Sequence, residues 1–463
     1  MQQSTAASRS IGLPGASLIA CVCLFLSAPW IRGGNRHLAM AVLECMGLLV
    51  LTGLAYRALL GPRNLRRSHP DGTGTNLATW TPWLLVIVLS SPIWITALQL
   101  APIWNGVPLS ATPQATLASG LVGLLCAICM LTGLSVTHDQ ARVLMLAWML
   151  GAVLQAGIGL LQLGGLSALD FGLISPEKVK GTFASKNSFA NFLVLSLPMV
   201  CLFGLRALDS RREARPWLPW AWGFALMVIL AALFASASRT GIATGILVLF
   251  LSFVMLTPSR HPAHAWVNGR VAALGFGIFL VLGLILGGID WLARFDVQQL
   301  AADSSLRAIN RQGAWLGAVD AWPTGVGLGG FRSAFPHYQA PELGLFLVDM
   351  AHNDYLQWLM EAGVAFVVVA VAVIMLVVRQ FISLTRRPSN ISRNHLMQST
   401  QPMAIAAGLG LLAIALHAMV DYPARIPANA MLASFLMGLF LRGNRLPQVR
   451  GRVATPAATE AQA

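Results

Sequence analysis

Apolar runs of about 20 residues recur along almost the whole chain, and this feature limits the possible folds more than any other. In lipid the backbone must satisfy its own hydrogen bonds, and runs of this length without strand-like alternation do so as helices. Charged residues make up only 10% of the 463 residues, against about 25% in a soluble domain. The sequence therefore predicts an all-α fold, that of a polytopic integral membrane protein with about 12 transmembrane helices. The predicted spans cover approximately residues 11–30, 38–60, 79–101, 115–136, 141–165, 187–207, 217–236, 240–257, 268–290, 353–378, 401–420 and 427–442.

One long stretch, residues 290–352, is too polar to lie in lipid and is predicted to form a large loop before the tenth span. With the N-terminus in the cytoplasm, the arginine-rich connectors all fall on the cytoplasmic side, as the positive-inside rule requires. These arginines are Arg63, Arg66, Arg67, Arg142, Arg206, Arg211, Arg212, Arg215, Arg260, Arg270, Arg379, Arg386, Arg387, Arg393, Arg442, Arg445, Arg450 and Arg452. We therefore expect cytoplasmic termini and a loop on the outer face of the membrane, which is periplasmic in a Gram-negative cell. The net charge of +14 reflects this asymmetry, and no nucleic-acid partner is expected.

Arg239 is one of the few basic residues that this orientation leaves on the outer face. It lies in a short polar break between the spans at 217–236 and 240–257, so it stays close to the bilayer surface. A phosphate is a natural partner, because the guanidinium fork matches its oxygens in pairs. The alternative is an arginine that snorkels towards the lipid headgroups.

Arg311 opens an amphipathic stretch of the large loop. Trp315, Val319 and Trp322 follow at helical spacing and would share one face, which suggests a helix lying along the membrane surface. Arg307 lies four residues earlier and could share the face of Arg311. The alternative is a surface helix with solvated arginines.

His352 begins the tenth predicted span, followed by Asn353 and Tyr355. An imidazole titrates near neutrality, so His352 could take a proton from an attacking hydroxyl; the alternative is a hydrogen-bonding helix cap. Lys186 and Asn187 are polar donors at the mouth of the sixth span. The outer face has no His, Asp and Glu cluster of metal-ligand spacing, so no metal is predicted.

The glycine-rich run from Gly325 to Gly330 resembles a nucleotide-binding loop only superficially. Neither a strand–helix–strand unit nor a Gly-Lys-Ser/Thr sequence accompanies it. We predict a tight turn that lets backbone approach backbone or substrate.

Several of these segments, taken in order, resemble the O-antigen ligase superfamily over roughly residues 180–440. The family also contains O-antigen polymerases and protein O-oligosaccharyltransferases. The motifs are Gly181 to Asn191, Ser238-Arg239-Thr240-Gly241, Arg311-x-x-x-Trp315 followed by Pro323-x-Gly325-Val326-Gly327, His352-Asn353-Asp354-Tyr355-Leu356 with Glu361 and Gly363, and His417-x-x-x-Asp421.

The resemblance implies a GT-C-like, inverting glycosyltransferase that needs neither metal nor cofactor. Its donor would be an undecaprenyl-diphosphate-linked glycan, and its acceptor a glycolipid or polysaccharide, within membrane lipid. Arg239 and Arg311 match the essential arginines of the family and would hold the diphosphate, while His352 matches its proposed base. Substrate-binding residues are expected at Lys186, Asn187, Arg307, Arg332, Asn353 and Tyr355.

The resemblance also divides the chain. Residues 1–180 would supply N-terminal transmembrane helices, residues 181–442 the ligase-like region, and residues 443–463 a disordered cytoplasmic tail. The motifs do not separate a ligase of lipopolysaccharide biosynthesis from a polysaccharide polymerase or a protein O-oligosaccharyltransferase. A transporter or lipid flippase, or a non-enzymatic membrane scaffold, are the alternatives from other classes.

Overall fold

The computed structural model describes residues 12–60, 77–102, 106–166, 179–209, 216–257, 297–345, 347–385 and 401–442. Several predictions lie outside these residues. They are the ninth span at 268–290, the beginning of the large loop, most of the connector at 61–78 and the tail at 443–463.

The described residues are organised by α-helices. These are α1 (Gly15–Ser27), α2 (Trp30–Gly33), α3 (His37–Leu60), α4 (Leu77–Leu100), α5 (Pro113–Ser135), α6 (His138–Leu163), α7 (Lys186–Asp209), α8 (Leu218–Ala235), α9 (Arg239–Leu256), α10 (Val297–Asp320), α11 (Phe331–Ala334), α12 (Asp354–Ala362), α13 (Val364–Thr385), α14 (Gln401–His417) and α15 (Pro427–Leu441), with 3-10 turns at Phe335–Tyr338, Pro341–Leu343 and Pro423–Arg425. Eight of the helices are long and apolar enough to cross a membrane, and α1, α14 and α15 are shorter apolar helices. The prediction of an all-α polytopic membrane protein is confirmed, while the count of twelve spans stays a prediction.

Helix α7 is the centre of the bundle. Its apolar side chains pack on every side, against α6, α8, α9 and α14, so it has no polar face to turn towards water. Phe189, Leu193 and Leu197 are fully buried in the core. The first residues of α7, Lys186 and Asn187, are therefore held by a rigid element.

The predicted tenth span at 353–378 is wrong in its first part. The structure breaks it at Gly363, which has φ +54°, a conformation that side chains with a Cβ rarely adopt. A Cβ at Gly363 would also lie against the carbonyl oxygen of Pro323. The span itself is α13, and the preceding α12 buries Asp354 and Glu361 against protein. The prediction failed because the apolar pattern continues across both helices.

The glycine-rich turn between α10 and α11 packs backbone against backbone, as predicted. Val326 donates its N–H to the carbonyl of Met360 at 3.0 Å, and Gly327 donates to that of Glu361 at 3.0 Å. The buried amide of Gln99 in α4 joins the same contact, because it donates to the Glu361 carbonyl at 2.8 Å and accepts from the Leu328 N–H at 2.9 Å. The turn thus fixes α12 to the N-terminal helices.

Helix α10 begins at Val297, well before the amphipathic stretch that the sequence predicted from Arg311. Trp315 is 54% exposed and Trp322, in the following turn, is 51% exposed. The opposite face carries small residues, such as Ala314 and Ala318, which are buried against α12 and its surroundings. Large apolar side chains on the exposed face are typical of a helix at a membrane interface.

Candidate active site

A buried carboxylate, Asp421, lies at the centre of the polar cluster formed by the predicted site residues. It follows α14 and accepts hydrogen bonds from three directions. Asn187 at the start of α7 donates its side-chain N–H at 2.5 Å, and the backbone N–H of Tyr422 donates at 3.0 Å. The Nδ1 atom of His352 lies 3.0 Å from Oδ1 of Asp421, the oxygen that also accepts the Tyr422 N–H. Asp421 therefore brings α7, the segment before α12 and the segment after α14 together.

The cluster extends to the beginning of α9. The Ser238 hydroxyl donates to the side-chain oxygen of Asn187 at 2.8 Å, and it accepts the N–H of Gly241 as the N-cap of α9. Arg239, the first residue of α9, is half-buried beside this cap. The turn containing Arg239 is thus connected to His352 through Ser238, Asn187 and Asp421.

Three helices begin at this cluster: α7 at Lys186, α9 at Arg239 and α12 at Asp354. Helix N-termini carry unpaired N–H groups and partial positive charge. Lys186 and Arg239 place positively charged side chains in the first turns of α7 and α9. The arrangement suits a phosphate-bearing ligand.

His352 has φ +50°, and Ala237, two residues before Arg239, has φ +49°. Such left-handed backbone is uncommon for residues other than glycine and often marks functional sites. Asn353 stabilises the turn at His352, because its side chain caps α12 at the Leu356 N–H and donates to the carbonyl of Met419 at 3.0 Å. The His352 imidazole is held while a third of its side chain stays exposed.

The state of Asp421 determines which nitrogen of His352 carries the proton. Burial raises the pKa of Asp421, but the hydrogen bond from His352 and the positive charges of His352, His417 and Arg307 outweigh it, so the pKa lies below its ordinary value. An ionised carboxylate can only accept, so Nδ1 of His352 must donate. In the neutral imidazole, the Nε2 atom is then left as the proton acceptor.

Arg307 and Arg311 come from α10. The guanidinium of Arg307 donates to the carbonyl of Val420 at 3.0 Å, next to Asp421. Arg311 lies one turn later on the same side of α10 and is half-buried. Among the described residues it has no hydrogen bond or ion pair. A guanidinium in this setting is available to an anionic ligand.

Arg332 and Tyr355 lie elsewhere. Both line a cavity of about 2530 Å³ whose walls are mostly apolar side chains of α4, α5, α13, α14 and α15. Arg332 is exposed and pairs with Asp349 at 3.1 Å, and the Tyr355 hydroxyl donates to the carbonyl of Ala415 at 2.9 Å. The structure does not bring these two residues to Asp421, and His352 and Arg239 do not line the cavity.

The sequence missed three features of this site. Asp421, Ser238 and Arg425 received no role, although the first two fell within quoted motifs. The available signal was charge: acids are rare in this chain, so an acid beside a predicted outer membrane surface needs a partner. In the part of the chain that the structure describes, no three His, Cys, Asp or Glu side chains gather as they would around a metal.

The geometry can now be compared with known proteins. A family model described as O-Antigen ligase matches residues 224–371, which include Arg239, Arg311 and His352. A search of curated proteins finds no match to the chain. The family match confirms the resemblance carried by the motifs, and over residues 224–371 the chain is similar to the O-antigen ligase family.

Proposed function

We propose that this protein is an inverting, metal-independent glycosyltransferase of the bacterial inner membrane, acting at the periplasmic face. It would move a glycan from undecaprenyl diphosphate to an acceptor hydroxyl, on lipid A-core or a related glycolipid. The family match supports a ligase- or polymerase-type activity in general. The observation that carries the specific proposal is the hydrogen bond between His352 and Asp421 in a cluster that includes the start of α9.

The proposed reaction is a single displacement. Nε2 of His352 takes the proton of the acceptor hydroxyl, and the oxygen attacks the anomeric carbon of the donor. The bond from that carbon to the diphosphate oxygen breaks, and the electron pair leaves with the diphosphate. Asp421 stabilises the imidazolium that forms, as the carboxylate does in a Ser-His-Asp triad. Attack opposite the leaving group inverts the anomeric centre.

The diphosphate gains negative charge as the bond breaks. Arg239 and Arg311 are proposed to stabilise this charge, together with Lys186 and the N–H groups at the beginnings of α7 and α9. Asn187 is proposed to hold Asp421, and Arg307 the segment beside it, so these two act through the carboxylate. A departing lipid diphosphate is a good leaving group, so no general acid is required.

The apolar cavity is proposed to hold the polyprenyl chain of the donor. Its walls are mostly hydrocarbon, and Tyr355 lies on the same short helix that follows His352. The exposed Trp315 of α10 and Trp322 in the following turn would lie at the periplasmic membrane interface. A polysaccharide polymerase would use the same residues, with the growing chain as the acceptor.

The test is transfer of glycan by the purified protein in detergent, with its lipid-linked donor and acceptor, without an ion gradient and with a chelator present. Transfer should continue, because no step needs a metal or a gradient. Arg239→Ala and Arg311→Ala should each lower the rate by about 10²–10³-fold. Arg379→Ala, an exposed arginine at the far end of α13, is the matched control. Transfer that stops with the chelator, or full activity of both site variants, would contradict the proposal.

A further inference from the structure

A second charged cluster lies behind the His352–Asp421 pair. It consists of Asp354 and Glu361 from α12 and of Arg425, whose 3-10 turn follows Asp421. Arg425 donates to Glu361 at 2.6 Å, and its Nε lies 3.7 Å from a carboxylate oxygen of Asp354. Both carboxylates are fully buried. One cation therefore serves two buried acids.

Asp354 connects the two segments that carry the proposed catalytic pair. Its backbone N–H donates to the carbonyl of Ala418 at 2.9 Å, and its carboxylate accepts the N–H of Ala424 at 2.9 Å. His352 lies two residues before Asp354, and Asp421 lies between Ala418 and Ala424. The position of His352 relative to Asp421 thus depends on Asp354.

The two acids are not equally satisfied. Glu361 also accepts from the Gly329 N–H at 2.9 Å and from Gln357 at 3.0 Å. One carboxylate oxygen of Asp354 and two nitrogens of Arg425 are buried without a hydrogen-bond partner among the described atoms. Burying an incompletely paired carboxylate costs stability, so a neutral or apolar residue would be the more stable choice for packing alone.

From this geometry we infer that Asp354, held by Arg425, is a positioning residue that sets the contact between His352 and Asp421. The inference rests on the proposed function, because it concerns the pair assigned there. In this role, Asp354 contacts neither the lipid-linked glycan donor nor the acceptor of the glycan. It acts by fixing the segment from Ala418 to Arg425 against the beginning of α12.

The charge of Asp354 is sensitive to pH near neutrality. Burial raises its pKa to about 7, although Arg425 and the Ala424 N–H lower it. The negative charges of Asp421 and Glu361 raise it further. Asp421 and Arg425 face Asp354 from the segment after α14, Glu361 faces it from α12, and His352 reaches it only through Asp421. Acidification below about pH 7 would therefore neutralise Asp354 and weaken its attraction to Arg425.

The main test is Asp354→Asn, which keeps the shape and can still accept the Ala424 N–H. Isolated membranes of a strain lacking the native gene, complemented with the variant, are assayed for glycan transfer between about pH 5.5 and 8.5. Transfer should fall about tenfold above pH 7 and lose the part of its pH dependence that Asp354 contributes. The melting temperature near pH 8 should not fall, because the amide removes a buried charge. Asp320→Asn, an exposed acid that binds Tyr338, is the matched control.

A double variant distinguishes positioning from packing. If Asp354 acts through Asp421, Asp354→Asn combined with Asp421→Asn should transfer no more slowly than Asp421→Asn alone. If Asp354→Asn does not accumulate in the membrane, Arg425→Lys takes its place, because it retains a positive charge. This variant should accumulate but transfer glycan more slowly, because the planar guanidinium that faces both acids is lost. Wild-type transfer and pH dependence in these variants, or additive effects in the double variant, would overturn the inference. Full activity of His352→Ala would instead overturn the proposed function.

Discussion

Asp421 and Asp354 are both buried carboxylates. Asp421 lies within the segment from Ala418 to Arg425, and Asp354 binds that segment from α12. Asp421 accepts hydrogen bonds from Asn187, Tyr422 and His352, and its pKa lies below the ordinary value. Asp354 accepts one backbone hydrogen bond and faces a cation that Glu361 shares. Its pKa is raised to about 7.

The difference shows that burial alone does not decide the charge of a carboxylate. Desolvation is the largest single influence on both groups, and it favours the neutral form in each. Direct donors and nearby cations reverse it at Asp421 but not at Asp354. The Asp421 carboxylate is therefore ionised at neutral pH, whereas Asp354 gains or loses its proton near pH 7.

The largest effect should come from removing the proposed base next to Asp421. His352→Ala is expected to lower glycan transfer by about 10²–10⁴-fold, because it removes the imidazole that Asp421 holds as the proposed base. The measurement is polymer attachment in a complemented strain, normalised to the amount of protein in the membrane. His337→Ala, which changes the other histidine of the large loop, serves as the control and should retain activity. Equal activity of the two variants would remove His352 from the mechanism.

The second prediction compares how neutralising each of the two acids changes the melting temperature of the protein. Asp421, whose folded pKa is depressed, contributes stability that is present above its unfolded pKa and is lost as pH falls through the folded pKa. Asp354, whose folded pKa is raised, contributes stability that is lost as pH rises through about 7. Near pH 8, Asp421→Asn should therefore lower the melting temperature and Asp354→Asn should not. Transfer by Asp421→Asn should also fall about 10–100-fold, a loss typical of partners that orient an imidazole. Melting curves that shift in the same direction would refute the contrast.

The smallest effect concerns the connection from Asp421 to α9. Ser238→Ala removes the N-cap of α9 and the donor to Asn187, at a cost of about 1–2 kcal/mol in the free energy of unfolding. Transfer should fall by less than in Arg239→Ala, because the guanidinium stays in place. Chemical denaturation of the purified protein measures the first quantity. Ser333→Ala, on the short helix α11, is the control. A larger loss of transfer in Ser238→Ala than in Arg239→Ala would place the hydroxyl itself in the reaction.

Hydropathy was enough to predict most helices of the described bundle, because lipid forces apolar runs into helices. It could not predict the break at Gly363, since the side chains on both sides of it are apolar. Asp354 and Glu361 were the available signal, but their burial in protein follows only from tertiary contacts, such as those with Arg425. Similarly, the beginning of α10 at Val297 was missed because its first turns are polar and lack a membrane-like pattern.

The sequence singled out some of the residues that meet at the Asp421 cluster, but not how they are connected. Arg239, Arg311 and His352 stood out because each puts a polar group at a predicted outer surface. That Asp421 joins Asn187 to His352 could not be read from the sequence, because the three lie on separate segments whose distances are set by tertiary packing. Arg332 and Tyr355 were predicted to bind substrate because they are polar like the other candidate residues. The fold instead places both of them at the wall of the cavity.

The buried amide of Gln99 has a consequence for the biogenesis of the protein. The amide belongs to α4, and its partners are Glu361 and Leu328, which are synthesised more than 200 residues later. Until they arrive, the amide must find other partners within the inserting bundle. We expect the early helices to reach their final arrangement only after the glycine turn has been translated, so that insertion and assembly are separate stages in time.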